Sequence, residues 1–342
     1  MKHNQMRQVV FPILAAFIWG TAFVAQDMCA DAIGTFTFNT TRYFIAVLAL
    51  LVVILIRDGV KKDKPVLSAE EKKAANRQLW IGGLCCGAAL AIASNFQQAG
   101  LVAGTDAGKA GFITALYVVL VPVFGLFLKR KVSVPTWIAV VLSVAALYLL
   151  CIKGTQLACE ICGGSAIINQ DNVFVCLDCG QRYATLEEIP KAAFTIAPSD
   201  LLLLVCALCF AVHILVIDHF TAYCDGVKLS CLQFLFAAII SAVCMFIFEP
   251  LDMPAILSCA LPLLYVGIFS CGVGYTLQIL AQKDSNPTVV TILLSLESVF
   301  AVIAGAIILK QQMSVREYIG CVVMFAAVVL AQIQFPEKKK AA

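Results

Sequence analysis

Charge is what this chain has least of. Asp, Glu, Lys and Arg make up 13% of its 342 residues, against 61% hydrophobic residues and a mean hydropathy of +0.94. A soluble domain needs charge over roughly a quarter or more of its surface, so a water-soluble fold is excluded. The net charge of +3 is small and dispersed, which gives no footing for nucleic acid. No G-x-x-x-x-G-K-[ST] run is present to cradle a nucleotide, so transport driven by ATP within this chain is not expected. A serine nucleophile elbow is missing too, and the chain is not expected to be an enzyme. A cleavable signal is not expected either. The first apolar run begins near Gln8 and is followed by more of the same, which reads as a first transmembrane helix.

What is abundant is apolar length. A helix needs about 20 mostly apolar residues to cross the hydrocarbon of a bilayer. Ten stretches qualify, near 8–26, 36–56, 78–98, 107–128, 134–152, 200–217, 229–248, 258–281, 288–309 and 315–334. The small, polar GLVAGTDAGKAG (100–111) predicts a tight turn between the third and fourth. Basic residues collect on the cytoplasmic side of membrane proteins. With ten spans, seventeen of the 24 Lys and Arg fall on the side of the termini and six on the other, with Arg42 inside a span. Both termini are therefore expected in the cytoplasm. The stretch RDGVKKDKPVLSAEEKKAANR (57–77) reads as a solvated basic loop against anionic headgroups.

Two weak internal repeats run in order. A shift of 181 lays LKRKVSVPTW (128–137) on LKQQMSVREY (309–318) and Gln97 on Gln278; a shift of 191 lays RYFIAV (42–47) on QFLFAA (233–238). Five spans, an insertion, then five spans is the expected order, with halves 7–152 and 199–334 around 153–198. Because five is odd, the halves enter the membrane from opposite sides, an arrangement used by transporters.

A resemblance then becomes specific. It is carried by AAFIWGTAFVA (15–25), FNTTRYFIA (38–46), AGKAGFITALYVVLVPVFGLFLKRKVS (107–133) and PTVVTILLSLESVFAVIAGAIILKQQMS (287–314). The chain resembles the EamA-like branch of the drug/metabolite transporter superfamily, over all ten spans but not over 153–198. The resemblance implies a secondary transporter of a small polar metabolite, such as an amino acid, often moving it outward by alternating access about a midplane site. A small-molecule substrate, the lipid bilayer, protons as a candidate coupling ion and a homodimer are the partners this reading admits. The location it implies is the plasma membrane.

The departure from that family is also the one long polar segment. Cys159, Cys162, Cys176 and Cys179 form C-x2-C-x13-C-x2-C, the spacing of a zinc ribbon, and four thiolates suit a closed tetrahedral zinc site. Gly163 and Gly180 follow the two pairs and tolerate the sharp turns required. SAII and VFVC flank NQDN as two short strands and a turn. The segment is too small for an apolar core, so metal would supply much of its stability. A rubredoxin-like iron centre uses the same sulfurs, and two disulfides remain open because the span count places the insertion outside the cytoplasm. A membrane redox protein and a metabolite sensor that moves nothing are the corresponding rival functions. The remaining cysteines, Cys206 and Cys209 among them, read as small apolar packing residues. The expected fold is an all-α integral membrane protein of ten transmembrane helices, two inverted five-helix repeats with a small β-rich zinc-ribbon insertion.

Ionisable groups deep in lipid are costly and mark function. Glu297, mid-span in LLSLESVFA, is the first candidate for coupling or substrate contact; a structural hydrogen bond is the bland alternative. The resemblance adds weight, because its members often carry a carboxylate there. Arg42 could hold a carboxylate or phosphate with two prongs, or pair with a helix C-terminus, or snorkel to the surface. Lys109 could snorkel or touch ligand. His213 could titrate near neutral pH or make one structural hydrogen bond. Asn39, Tyr43, Asn95, Gln98, Tyr117, Gln233, Tyr275 and Gln278 fall in helices that the resembling family uses for its central cavity, with Trp19 at the edge. Gly82, Gly83, Gly87, Gly267, Gly272 and Gly274 read as close helix contacts.

Overall fold

The structure is a computed structural model. It describes residues 3–60, 68–129 apart from 104 and 106, 132–151, 198–308 apart from 284, and 315–332. Between the halves it describes 156–157, 159–162, 167–170, 173–176, 179–185, 188–189 and 191–192.

All ten expected spans are helical. The first half comprises α1 (His3–Ala30), α2 (Thr35–Val60), α3 (Ala69–Val102), α4 (Ala107–Ala115), α5 (Tyr117–Phe127) and α6 (Val134–Cys151). The second comprises α7 (Pro198–Thr221), α8 (Gly226–Phe248), α9 (Met253–Ser258), α10 (Ala260–Tyr265), a π-helical stretch Val266–Tyr275, α11 (Thr276–Gln282), α12 (Pro287–Leu294), α13 (Leu296–Ile308) and α14 (Val315–Gln332). Among the described residues, eight rods are long and apolar enough to cross a membrane, and α6 is a shorter apolar helix. The outer surface carries bare Phe127, Leu261, Phe246 and Val322, side chains suited to lipid rather than water.

Local chemistry explains the helix ends. Ser68 and Glu71 close a capping box at the start of α3, so the expected loop 57–77 is helical from Ala69 onward; 61–67 lie outside the described residues. Asp225 and Asn286 cap α8 and α12, accepting from Lys228 N and Thr288 N. The residues 333–334 expected to end the last span are likewise not described.

Three spans differ from the sequence expectation, the eighth by a turn at Cys259 and the π-helical stretch Val266–Tyr275. The fourth and ninth were expected to be continuous, but each is broken near its middle, at Leu116 and at Ser295. Both breaks tighten the helix in the same way. Val119 N donates to Leu116 O at 2.9 Å, and Ser298 N to Ser295 O at 3.2 Å, three-residue bonds in place of four-residue ones. In the ninth span the cause is visible. Thr291 and Ser295 turn their hydroxyls back onto Thr288 O and Thr291 O at 2.8 and 2.9 Å, competition that bends helices.

Packing repeats when the halves are exchanged. The α3–α7 contact is matched by α1 against α11 and the π stretch, and α1 against α12 and α13 is matched by α7 against α4 and α5. The α2–α8 and α6–α14 contacts map onto themselves. Helices α2 and α8 are tied at both ends. Glu249 accepts from Phe36 N, Thr37 N and Thr37 Oγ1 at 2.7–2.8 Å. At the other end Arg57 meets Asp225 at 2.9 Å and Lys228 meets Asp58 at 2.7 Å. Where helices approach closely, glycine is required: a Cβ on Gly87 would lie 2.6 Å from Gln233 O. Gly272 meets only an ordinary contact, so the packing explanation expected there does not hold for it.

Between α6 and α7, β2 (Ile167–Gln170), β3 (Val173–Cys176) and β4 (Arg182–Tyr183) form an antiparallel sheet in sequence order. The strands β1 (Gln156–Leu157) and β5 (Lys191–Ala192) pair across the base of the insertion. The expected hairpin is present, within a slightly larger sheet.

Candidate functional site

The insertion brings its four cysteines together. Their sulfurs all lie within 4.8 Å of one another. The nearest approaches cross between the pairs, Cys159 to Cys179 at 3.4 Å and Cys162 to Cys176 at 3.6 Å. A tetrahedral zinc with Zn–S of about 2.3 Å sets sulfurs about 3.8 Å apart, so the cluster fits a four-thiolate metal. Gly180 sits at φ +75° immediately after the second pair, a conformation that suits glycine; Gly163 lies outside the described residues. Tyr183 donates its hydroxyl to Cys159 Sγ at 3.2 Å and accepts from Glu160 N at 2.8 Å. That hydrogen bond is the main reason why the Cys159 thiol is lowered to about 6, favouring the thiolate form.

The membrane part encloses a separate cavity of about 530 Å³, its open mouth included. Trp19, Arg42, Tyr117, Tyr275, Gln278 and Glu297 line it, six of the expected site residues, together with Gln26, Gln97, Thr114, Ser270 and apolar neighbours. Trp19, expected at the edge, is part of the wall, donating Nε1 to Ser270 O at 3.2 Å and packing on Tyr275 at 4.7 Å between centroids. The helix breaks build the floor: Tyr117 opens α5 and Glu297 lies in the first turn of α13, and Tyr117 donates to Glu297 Oε1 at 2.9 Å.

Arg42 is 4% exposed, so it does not snorkel. Its guanidinium donates to Gln26 Oε1 at 3.0 Å and to the Tyr43 hydroxyl at 3.4 Å, and lies 5.1 Å from the ring centres of both Phe38 and Tyr43. Nε has no partner. No carboxylate lies within ion-pair distance of it among the described residues.

The other expected residues stand behind the wall. Tyr43 supports Arg42. Asn39 donates to Ser94 O and Asn95 Oδ1, and Asn95 in turn to Ser241, in a polar seam between α2, α3 and α8. Gln98 is fully buried with both amide atoms unpartnered. His213 and Gln233 hydrogen-bond each other at 3.1 Å. The side chain of Lys109 lies outside what is described. Cys206 is buried beside Thr114 and Cys209 is half-buried. Gln26, Thr114 and Ser270 escaped the sequence reading because they are neutral and isolated in apolar runs. Gln97 carried a signal, its repeat partner Gln278.

A model of the EamA-like transporter family matches residues 6–152 and 197–332. The chain belongs to the EamA-like transporter family. An uncharacterized transporter of Archaeoglobus fulgidus is 27% identical over 327 residues, covering 94% of this chain and 84% of that protein. A solved crystal structure superposes with a TM-score of 0.69 over 95% of this chain and 96% of the other, at 16% identity; that likeness speaks for the fold. This EamA-like protein is thus a multi-pass membrane transporter carrying a four-cysteine insertion that its family model passes over.

Proposed function

We propose that the protein is a secondary active transporter in the plasma membrane that exports a small polar metabolite, an amino acid or a related compound, through the cavity between its two five-helix halves, 7–152 and 199–334. The observation that carries this reading is Arg42. A guanidinium buried without a counter-charge is expensive, and one that lines a cavity is built to receive a ligand's anionic group. Glu297, across the same space, is placed to take an ammonium group or a proton. Gln26, Gln97, Gln278 and Tyr117 add neutral donors and acceptors, and Trp19 and Tyr275 an apolar wall, a lining typical of small-molecule sites. The cavity lies where the two broken helices meet, which is where inverted-repeat transporters hold substrate.

The insertion, on the same reading, holds structural zinc on the outer face while both termini face the cytoplasm. Four sulfurs all within 4.8 Å of one another favour one ion over two disulfides. Iron would make the purified protein red, and elemental analysis of the colourless zinc form separates the two.

The test of transport is an untargeted comparison of metabolites inside and outside cells with and without the protein, then flux of the compound found in proteoliposomes. A protein-dependent difference abolished by Arg42→Gln supports the reading. Binding of that compound without flux would leave a sensor in its place.

A further inference from the structure

Most lining positions of the cavity come in pairs from the two halves, and one departure from that pairing is informative. A shift of 191 lays α1 on α7 and α2 on α8: Trp19 falls on Phe210, Phe23 on Ile214, and Arg42 on Gln233. A shift of 181 lays Gln97 on Gln278, and Tyr117 and Glu297 stand 180 apart. Trp19, Phe210, Phe23, Ile214, Gln97, Gln278, Tyr117 and Glu297 all line the cavity, so it sits on the pseudo-twofold axis. Arg42 and Gln26 line it as well, but Gln233 does not. It is fully buried one layer back, bonded to His213, which occupies the place of Ala22 in the first half.

The two polar pairs correspond. Arg42 joins Gln26 at 3.0 Å between α2 and α1, and Gln233 joins His213 at 3.1 Å between α8 and α7. Gln26, Arg42, Gln97 and Thr114 lie within about two turns of the helix ends that share a face with the insertion. His213 and Gln233 lie at similar depth from the opposite face. On this side His213 Nδ1, Gln233 Nε2, Gln278 Oε1, Gln282 Oε1 and Ser285 Oγ are buried without protein partners, as Arg42 Nε, Asn39 Oδ1 and Gln98 are on the other. Native cores seldom leave so many buried polar atoms unpaired. The imidazole lies just behind the wall, its ring centre 6.3 Å from Phe210 and 6.0 Å from Tyr275.

We infer that His213 and Gln233 are the second half of the substrate site. When the cavity opens to the face opposite the insertion, they line it in place of Gln26 and Arg42, and their unpaired atoms, with those of Gln282 and Ser285, meet water there. This rests on the transport reading above and adds to it a specific pair of residues and a consequence. The anionic group of the substrate meets a fixed guanidinium on one side and an imidazole with an amide on the other.

The test needs no knowledge of the substrate. Gln233→Cys in the full chain is treated in oriented membrane vesicles with a small, membrane-impermeant cationic thiosulfonate, and labelling is read peptide by peptide by mass spectrometry. Cys231, buried two residues away on the same helix, is the internal reference. If the open state holds even a few per cent of the population, position 233 labels about tenfold or more faster than Cys231, and only with reagent on the face opposite the insertion. Labelling no faster than Cys231, or only from the insertion face, would overturn the inference. Where Gln233→Cys fails to insert, His213→Cys gives the same readout. Arg42→Cys separates the two claims. Its labelling from the insertion face with none at 213 or 233 sinks this inference alone, whereas silence at 42 together with no protein-dependent metabolite sinks the transport reading too.

Discussion

Arg42 and Glu297 face one space from opposite halves. A substrate anion held by two guanidinium hydrogen bonds loses about 1.5–3 kcal/mol when the charged donor goes. Arg42→Gln is expected to slow flux by roughly one to two orders of magnitude at sub-saturating substrate, and Arg42→Lys to recover only part because it lacks the planar fork. Initial rates in proteoliposomes decide this. Glu297→Gln removes the titratable group in the cavity, so the transport rate should lose its dependence on pH while expression persists; wild-type pH dependence in that variant would remove Glu297 from coupling. In the ribbon, Tyr183→Phe deletes the donor to Cys159 Sγ. Outer-shell partners of this kind are worth about 10–100-fold in metal affinity, measurable by competition with a chromogenic chelator. Residues of this class were legible because charge in lipid and paired CxxC spacing stand out against an apolar background. Gln26 and Ser270 were not, because a neutral side chain gains its role only from the helix that faces it.

The elements tell a different story about legibility. Hydropathy located all ten rods, since length and apolarity are the property being selected. It missed the breaks at Leu116 and Ser295 because a 20-residue average is blind to one tightened turn, and at Ser295 the cause lies in hydroxyls that bond backward onto their own backbone. A close helix contact behind the site is at Gly20. A Cβ there would stand 2.6 Å from Glu297 O and 2.8 Å from Ala301 N, backbone atoms that cannot swing aside. Gly20→Ala is expected to push α1 off α13 at a cost of about 1–3 kcal/mol and to impair flux by displacing Glu297. A lowered thermal midpoint in detergent together with reduced transport would bear this out; an unchanged midpoint would show that the helices separate without penalty.

At the scale of the whole molecule, the repeat was legible only as two short, ordered similarities with different offsets. Unequal loops shift the register between helices, and apolar positions exchange freely among Leu, Ile, Val and Phe, so little else survives to be aligned. The structure recovers it as packing that reproduces itself when the halves trade places. The insertion stands apart from this symmetry, with a miniature core of Cys159, Cys176, Tyr183 and Ile189. Stripping its metal with a strong chelator should therefore open the insertion to protease while the thermal unfolding of the ten helices stays where it was. A parallel fall in both would mean that the ribbon braces the membrane part. Deleting 156–190 while keeping all ten helices asks the functional question, and a ribbon that caps the outer mouth would alter flux when removed.

The pairing of Gln156–Leu157 with Lys191–Ala192 has one more implication. Neighbouring strands run less than 5 Å apart, so everything between Leu157 and Lys191 hangs from a narrow neck. A neck of that width makes the ribbon a cartridge. Another small module whose ends lie equally close could be hung from the same pair of strands.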